Sequence, residues 1–181
     1  MRDDQLATMF FVSENAGVGD RIWGVFMWHE VNFGKWSDKP KTLPQILVSD
    51  PDWFFWAVET GVFASRKTLA AEAEVLNRRA RAIKIPAGQA PKDCVRYWIS
   101  HDGKFSDMEL IEASQPAHTG SSSEIRRDSL NLYAPRAIKD YDKLGCKLLL
   151  KSFKYYWFGG KAFTKVKVEA FFSDPTNFVK P

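Results

Sequence analysis

The hydrophobic pattern of this chain changes period at residues 86–91, and that change sets the fold class. Before it, Leu69, Ala73, Leu76, Ala80 and Ile83 recur at steps of three and four, which is the repeat of one helix face. Glu72, Glu74, Arg78, Arg79 and Arg81 fall on the far side. After it, Val95, Tyr97 and Ile99 alternate with Arg96, Trp98 and Ser100, the two-residue period of a strand. Pro86-Ala87-Gly88-Gln89-Ala90-Pro91 reads as a linker. His101-Asp102-Gly103-Lys104 turns the chain and residues 105–111 return, because Asp-Gly between two alternating runs is a hairpin signal. The expected architecture is α+β. A small helical module occupies residues 31–85. A β-hairpin plus a third strand, packed on a long helix, occupies residues 92–181. Residues 1–30 form an N-terminal extension or edge strand: 5–12 read as a short helix or strand, 15–20 as a loop with Gly17 and Gly19, and 21–28 as a strand.

Residues 31–57 carry the densest local code. Phe33-Gly34-Lys35 marks a tight turn, since glycine enters positive φ without a Cβ clash. Thr42 is placed to cap a helix with Pro44 in its first turn, and Asp50 to cap a second with Pro51 at its first position. Trp53, Phe54, Trp56 and Ala57 give that second helix an aromatic face; Trp53 and Trp56 read as core. Gly61 stops it and Ser65 caps the next helix.

Phe33-Gly34-Lys35-Trp36, Lys41-Thr42-Leu43, Ile46-Leu47 and Asp50-Pro51-Asp52-Trp53-Phe54-Phe55-Trp56 together resemble the small module found at the C-terminus of exodeoxyribonuclease X and in many short phage and proteobacterial proteins. The resemblance covers residues 31–57 only. It departs from the usual pattern at Pro40, where a glycine ordinarily precedes the second lysine, and in a longer loop. It implies an accessory module associated with nucleic-acid enzymes. It does not imply nuclease activity, which belongs to a separate catalytic domain.

The second half holds a polar stretch at residues 114–124, read as a mobile loop, then Leu130-Asn131-Leu132-Tyr133 as the third strand, ended by Pro135. Residues 135–157 read as one long helix, with Ile138, Tyr141, Leu144, Leu148, Leu149, Phe153, Tyr156 and Trp157 on its apolar side. Gly145 inside it costs about 1 kcal/mol relative to alanine. The alternative ends the helix at Gly145 and folds residues 147–158 and 161–172 into a hairpin around Gly159-Gly160. Thr164 caps a last helix with Val168, Phe171 and Phe172 inward, and Phe178 pins the tail.

Positive charge is concentrated on the long helix. Arg136, Lys139, Lys143, Lys147, Lys151 and Lys154 follow at steps of three and four, so on one helix they form a single face. That row would span about 27 Å. Lys161, Lys165 and Lys167 come next. Phosphates along a strand offer complementary charge, and release of their counterions drives binding. The competing reading is a solvated helix face. A second candidate surface is the 31–41 turn, where Lys35, Lys39 and Lys41 flank Trp36; a partly exposed Trp36 would suit base stacking beside cations. Tyr155 beside Lys154 would suit it too.

Composition sets the remaining bounds. The chain has 181 residues, a net charge of +4, 45% apolar and 14% aromatic residues, the profile of a packed protein compatible with a polyanionic partner. Cys94 and Cys146 form neither a disulfide framework nor a zinc motif and read as small buried residues of a reducing cytoplasm. The longest apolar runs, at 23–28 and 53–58, fall far short of a membrane span. Arg2, Asp3, Asp4 and Gln5 open the chain without a signal-peptide profile, so a cytoplasmic protein is expected.

His29, His101 and His118 are isolated, and no nucleophile-elbow, Walker or dinucleotide motif occurs. Asp107 and Glu109 share a strand face, but Glu112 has the opposite parity and no lysine completes a nuclease strand. These carboxylates, with Asp102, read as surface charge. No catalytic residue, metal or cofactor is therefore assigned. The sequence points first to a non-catalytic nucleic-acid-binding accessory protein of phage or bacterial origin, with DNA favoured over RNA. A protein–protein adaptor for a host or replication factor comes second. A metal-dependent nuclease with an unrecognised site comes third.

Overall fold

The computed structural model describes residues 21–22 and 25–179; the expectations for 5–12 and 15–20 lie outside them. The architecture is α+β. Strands β1 (Arg21–Ile22) and β2 (Val25–Phe26) pair antiparallel, where one strand was expected across 21–28. β3 (Glu30–Val31) pairs antiparallel with β4 (Lys41–Thr42) and closes the turn between them. Gly34 sits in that turn at φ +55°, the left-handed region that favours glycine.

Helix α1 (Leu43–Ser49) opens with a capping box: the Thr42 backbone N–H donates to Gln45 Oε1 at 3.1 Å. Helix α2 (Pro51–Glu59) is capped by Asp50, whose carboxylate accepts from the Trp53 N–H at 3.2 Å. Helix α3 (Lys67–Ala80) starts from Arg66 without a side-chain cap; Ser65, expected to be the cap, lies one residue ahead of it and caps nothing among the described residues. Leu69, Ala73, Leu76 and Ala80 are buried along its inner face, as their spacing requires; Glu72, expected on the far side, is buried with them and accepts from the His29 N–H at 3.1 Å.

β5 (Ile83–Lys84) pairs not with a neighbour in sequence but with β9 (Ser129–Leu130). The hairpin forms as expected from β6 (Cys94–Ile99) and β7 (Phe105–Ile111), with Val95 opposite Leu110 and Tyr97 opposite Met108. Its third strand is a correction. β8 (Ser123–Arg127) takes the other edge of β6, giving the order β7-β6-β8, whereas residues 130–133 were expected there. Arg126 of β8 also holds the preceding loop, donating to the carbonyls of Gln115 at 2.6 Å and Pro116 at 2.8 Å.

The 135–157 segment is a second correction. It contains α4 (Ala134–Ile138) and a separate α5 (Lys143–Phe158). Asp142 ends the turn between them and caps α5, its Oδ1 accepting the Gly145 N–H at 2.7 Å. Its Oδ2 accepts the Phe105 N–H at 2.8 Å, so the same buried carboxylate ties α5 to β7. The hairpin alternative for 147–172 is excluded, because α5 runs through to Gly159 in the left-handed region and α6 (Lys165–Ser173) follows. Thr164 caps α6, accepting from the Lys167 N–H at 3.4 Å.

One buried cluster crosses the 86–91 segment, drawing on Phe54, Leu76 and Ile83 before it and Val95, Phe153 and Phe172 after it. The two halves therefore do not bury separate cores. Phe153 is fully buried and meets the rings of Trp157, Phe158, Phe163 and Phe171, with centroids 5.4–5.9 Å away. Phe178 stacks on Phe172 at 5.9 Å and bridges to Ile83, which fixes the C-terminal segment.

Candidate nucleic-acid interface

The break at Asp142 divides the expected cation row. Arg136 sits on α4, where it bonds Asp52 at 2.7 Å and Glu59 at 3.0 Å. The neighbouring carboxylates, Asp52 foremost, raise the pKa of its guanidinium. Lys139 reaches the same Asp52 at 3.2 Å. These two cations fasten α4 to α2 rather than facing an open surface. Lys165 pairs with Glu30 at 2.7 Å, which raises its pKa. Lys167 is exposed.

Lys143, Lys147, Lys151 and Lys154 remain in register on α5. The first three are exposed and Lys154 is half-buried. Among the described residues no carboxylate lies within ion-pair distance of any of the four. The inner face of α5 is fixed by Gly145, Leu149 and Phe153, all buried. At 100° per residue the four lysines then occupy the opposite side. The row spans about 16 Å, shorter than the sequence implied because the helix starts at Lys143.

The helix break also changes the phase of the flanking apolar residues. Tyr141 and Leu144 were expected on the buried side. Instead Tyr141 precedes α5 in the turn, 58% exposed, and Leu144 projects outward, 66% exposed. Tyr155 is 64% exposed on the same side as Lys151 and packs edge-on against Tyr156 at 5.0 Å. Burial raises the Tyr156 phenol pKa, with the charges of Asp107 and Glu109 adding to the effect. A cationic stripe thus runs beside Leu144 and Tyr155. Asp142, an N-cap residue type just ahead of the Lys143–Phe158 segment, is the sequence signal that would have found this start.

The 31–41 turn is arranged differently from expectation. Trp36 is buried at 7% exposure, edge-on to Trp53 with centroids 5.6 Å apart. The indole is worth more removed from water than displayed. The ammonium groups of Lys35 and Lys41 lie over its ring, 5.4 and 4.8 Å from the centroid, in cation–π contact. Lys35 also pairs with Asp50, and Lys41 donates to Ser49 Oγ at 3.3 Å. Lys39 is exposed. Trp53 is half-buried, while Trp56, expected in the core, is 40% exposed at the outer side of α2. The turn is therefore an aromatic plug covered by cations, not an open stacking platform.

Two of the hairpin carboxylates, Glu109 and Asp102, are engaged in ion pairs. Glu109 accepts from Arg96 at 2.8 Å and from Trp98 Nε1 at 2.6 Å. Asp102 pairs with Lys104 at 2.8 Å, and hydrogen bonds from Lys104 and Ser100 hold its carboxyl below the usual range. Asp107, within β7, accepts from the Met108 N–H at 2.7 Å, and Glu112 is exposed. Among the described residues no group of three or more His, Cys, Asp or Glu is placed to hold a metal, and no helix is long and apolar enough to cross a membrane.

Comparison with known proteins identifies no relative: no family model, no curated protein and no solved structure matches this chain.

Proposed function

We propose that this chain is a non-catalytic nucleic-acid-binding accessory protein that holds a phosphate backbone on the lysine face of α5. The observation that carries this reading is the register of Lys143, Lys147, Lys151 and Lys154, without a carboxylate in ion-pair distance among the described residues. Four cations without a paired carboxylate on one helix repel one another, and a polyanion relieves that repulsion while shedding counterions. The likeness of residues 31–57 to the exodeoxyribonuclease X C-terminal module supports the same reading, with DNA as the favoured partner, a phage or bacterial origin and a cytoplasmic setting.

Fluorescence anisotropy with labelled single- and double-stranded DNA at low salt tests it. The parent should bind and the K143Q/K147Q/K151Q variant should bind more weakly. The absence of affinity for either form would refute the reading.

A second reading draws on Leu144 and Tyr155, which expose large apolar surface beside the lysines. Such a surface suits an acidic protein partner of an adaptor. It becomes the preferred reading if neither DNA nor RNA binds.

A further inference from the structure

The inner face of the three-stranded sheet is only partly covered. α5 lies over β7 through Leu149 and Phe153, and β8 lies beyond it on the far side of β6. Ile125 of β8 is paired opposite Tyr97 and shares its face. Yet Tyr97 is buried while Ile125 is 43% exposed. Between β8, α4 and the turn ahead of α5 a cavity of about 360 Å³ opens, within the range of small-molecule sites. Phe105 and Leu149, both buried, line its inner part, and the exposed Ile125 and Tyr141 stand at its mouth.

The polarity of this lining has one sign. Arg127 and Asn131 contribute to it and no Asp or Glu does. Arg127 donates to the Arg126 carbonyl at 2.8 Å, and among the described residues no carboxylate lies within ion-pair distance of it. Its charge acts on the Tyr97 phenol, which is held protonated by burial with a pKa pushed up to about 12. Arg127 and Tyr97, whose hydroxyl accepts the Asn131 N–H at 3.5 Å, thus line one largely apolar space. A ligand with an apolar body alone would leave the guanidinium without a counter-charge; a cation would be repelled.

We propose that this cavity binds a small amphipathic anion, an apolar ring or branched chain bearing one carboxylate, with its body against Ile125 and Tyr141 and its carboxylate on Arg127. This site is separate from the lysine face of α5 and does not depend on nucleic-acid binding.

Backbone amide shifts of the full chain, titrated with 4-phenylbutyrate and with its neutral amide, test the proposal. Residues of β8 and α4 should shift and saturate, and the carboxylate should bind about five- to tenfold more tightly than the amide. Arg127→Gln, at an exposed position, should abolish that difference while leaving amide binding in place. Ile125→Asp should remove carboxylate binding by placing a like charge at the mouth. The proposal is overturned by any of three results: no saturating shifts in β8 and α4, equal affinity of acid and amide for the parent, or shifts confined to the lysines of α5. If Ile125→Asp does not fold, the Arg127→Gln comparison still decides the matter.

Discussion

A Cβ on Gly145 would stand 2.0 Å from Oδ2 of Asp142. The glycine leaves the space that the buried carboxylate fills. From there Asp142 caps α5 and accepts the Phe105 N–H of β7. The start of the lysine-bearing helix and its attachment to the sheet are therefore one arrangement of two residues.

Gly145→Ala separates this arrangement from helix propensity. On propensity alone, alanine would add about 1 kcal/mol of stability. Here its methyl displaces the carboxylate, losing a cap worth about 0.5–2 kcal/mol and stranding a buried amide at about 1–3 kcal/mol. Urea denaturation should show a net loss of about 2 kcal/mol. A more stable variant would mean that Asp142 does not occupy that space.

Asp142→Ala should cost about 2–4 kcal/mol, because both the Gly145 and Phe105 amides lose their acceptor. Adding Gly145→Ala to it should cost nothing further, since the displaced group is already gone. Additive losses in the double variant would contradict a shared origin.

Arg136→Gln should lower stability by no more than about 1 kcal/mol, because Asp52 and Glu59 are over one-third exposed and water screens the pairs. DNA affinity should stay at the parent value. A large loss of affinity would put Arg136 back in the binding face.

Glu72 gives a pH dependence of known sign. Burial disfavours its carboxylate and lifts its pKa above the ordinary 4.5, against the opposing hydrogen bonds from His29; the charge of Glu169 adds to the rise. Above pH 4.5 the folded chain keeps a proton that the unfolded chain has released. The stability from this group is thus full below that pH and is lost as pH rises through the raised value. Glu72→Gln removes the titration and keeps an acceptor for the His29 N–H, bonded at 3.1 Å. Relative to the parent, the variant should gain stability as pH rises above 4.5 and through the raised value. A constant difference across that range would contradict the raised pKa.

The capped helices at Thr42 and Asp50 and the hairpin at Asp102-Gly103 were legible because each rests on local chemistry. The pairing of β5 with β9 was not, since two-residue strands leave no period to read. β8 was missed for a related reason: Ile125 is its one apolar residue, so no alternation separates it from the serines before it. Of the candidate site, the lysine spacing on α5 was legible. The neutralisation of Arg136 and Lys139 was not, because Asp52 and Glu59 reach them from 77 to 87 positions away in sequence, across the tertiary fold. The burial of Trp36 was hidden likewise, as it depends on Trp53 meeting the ring edge-on.

The most direct measurement is the salt dependence of DNA affinity for the parent and for K143Q/K147Q/K151Q. Glutamine removes the charge and keeps a helix propensity close to that of lysine. A straight row of four lysines engages about three phosphates before the backbone curves away, giving a slope of about −3 in log K against log salt on duplex and about −2 on single strands. The variant should keep the parent's melting temperature, and its duplex slope should shrink by about two units. No measurable affinity at low salt, or a slope that the three substitutions leave unchanged, would contradict the assignment of α5 as the binding face.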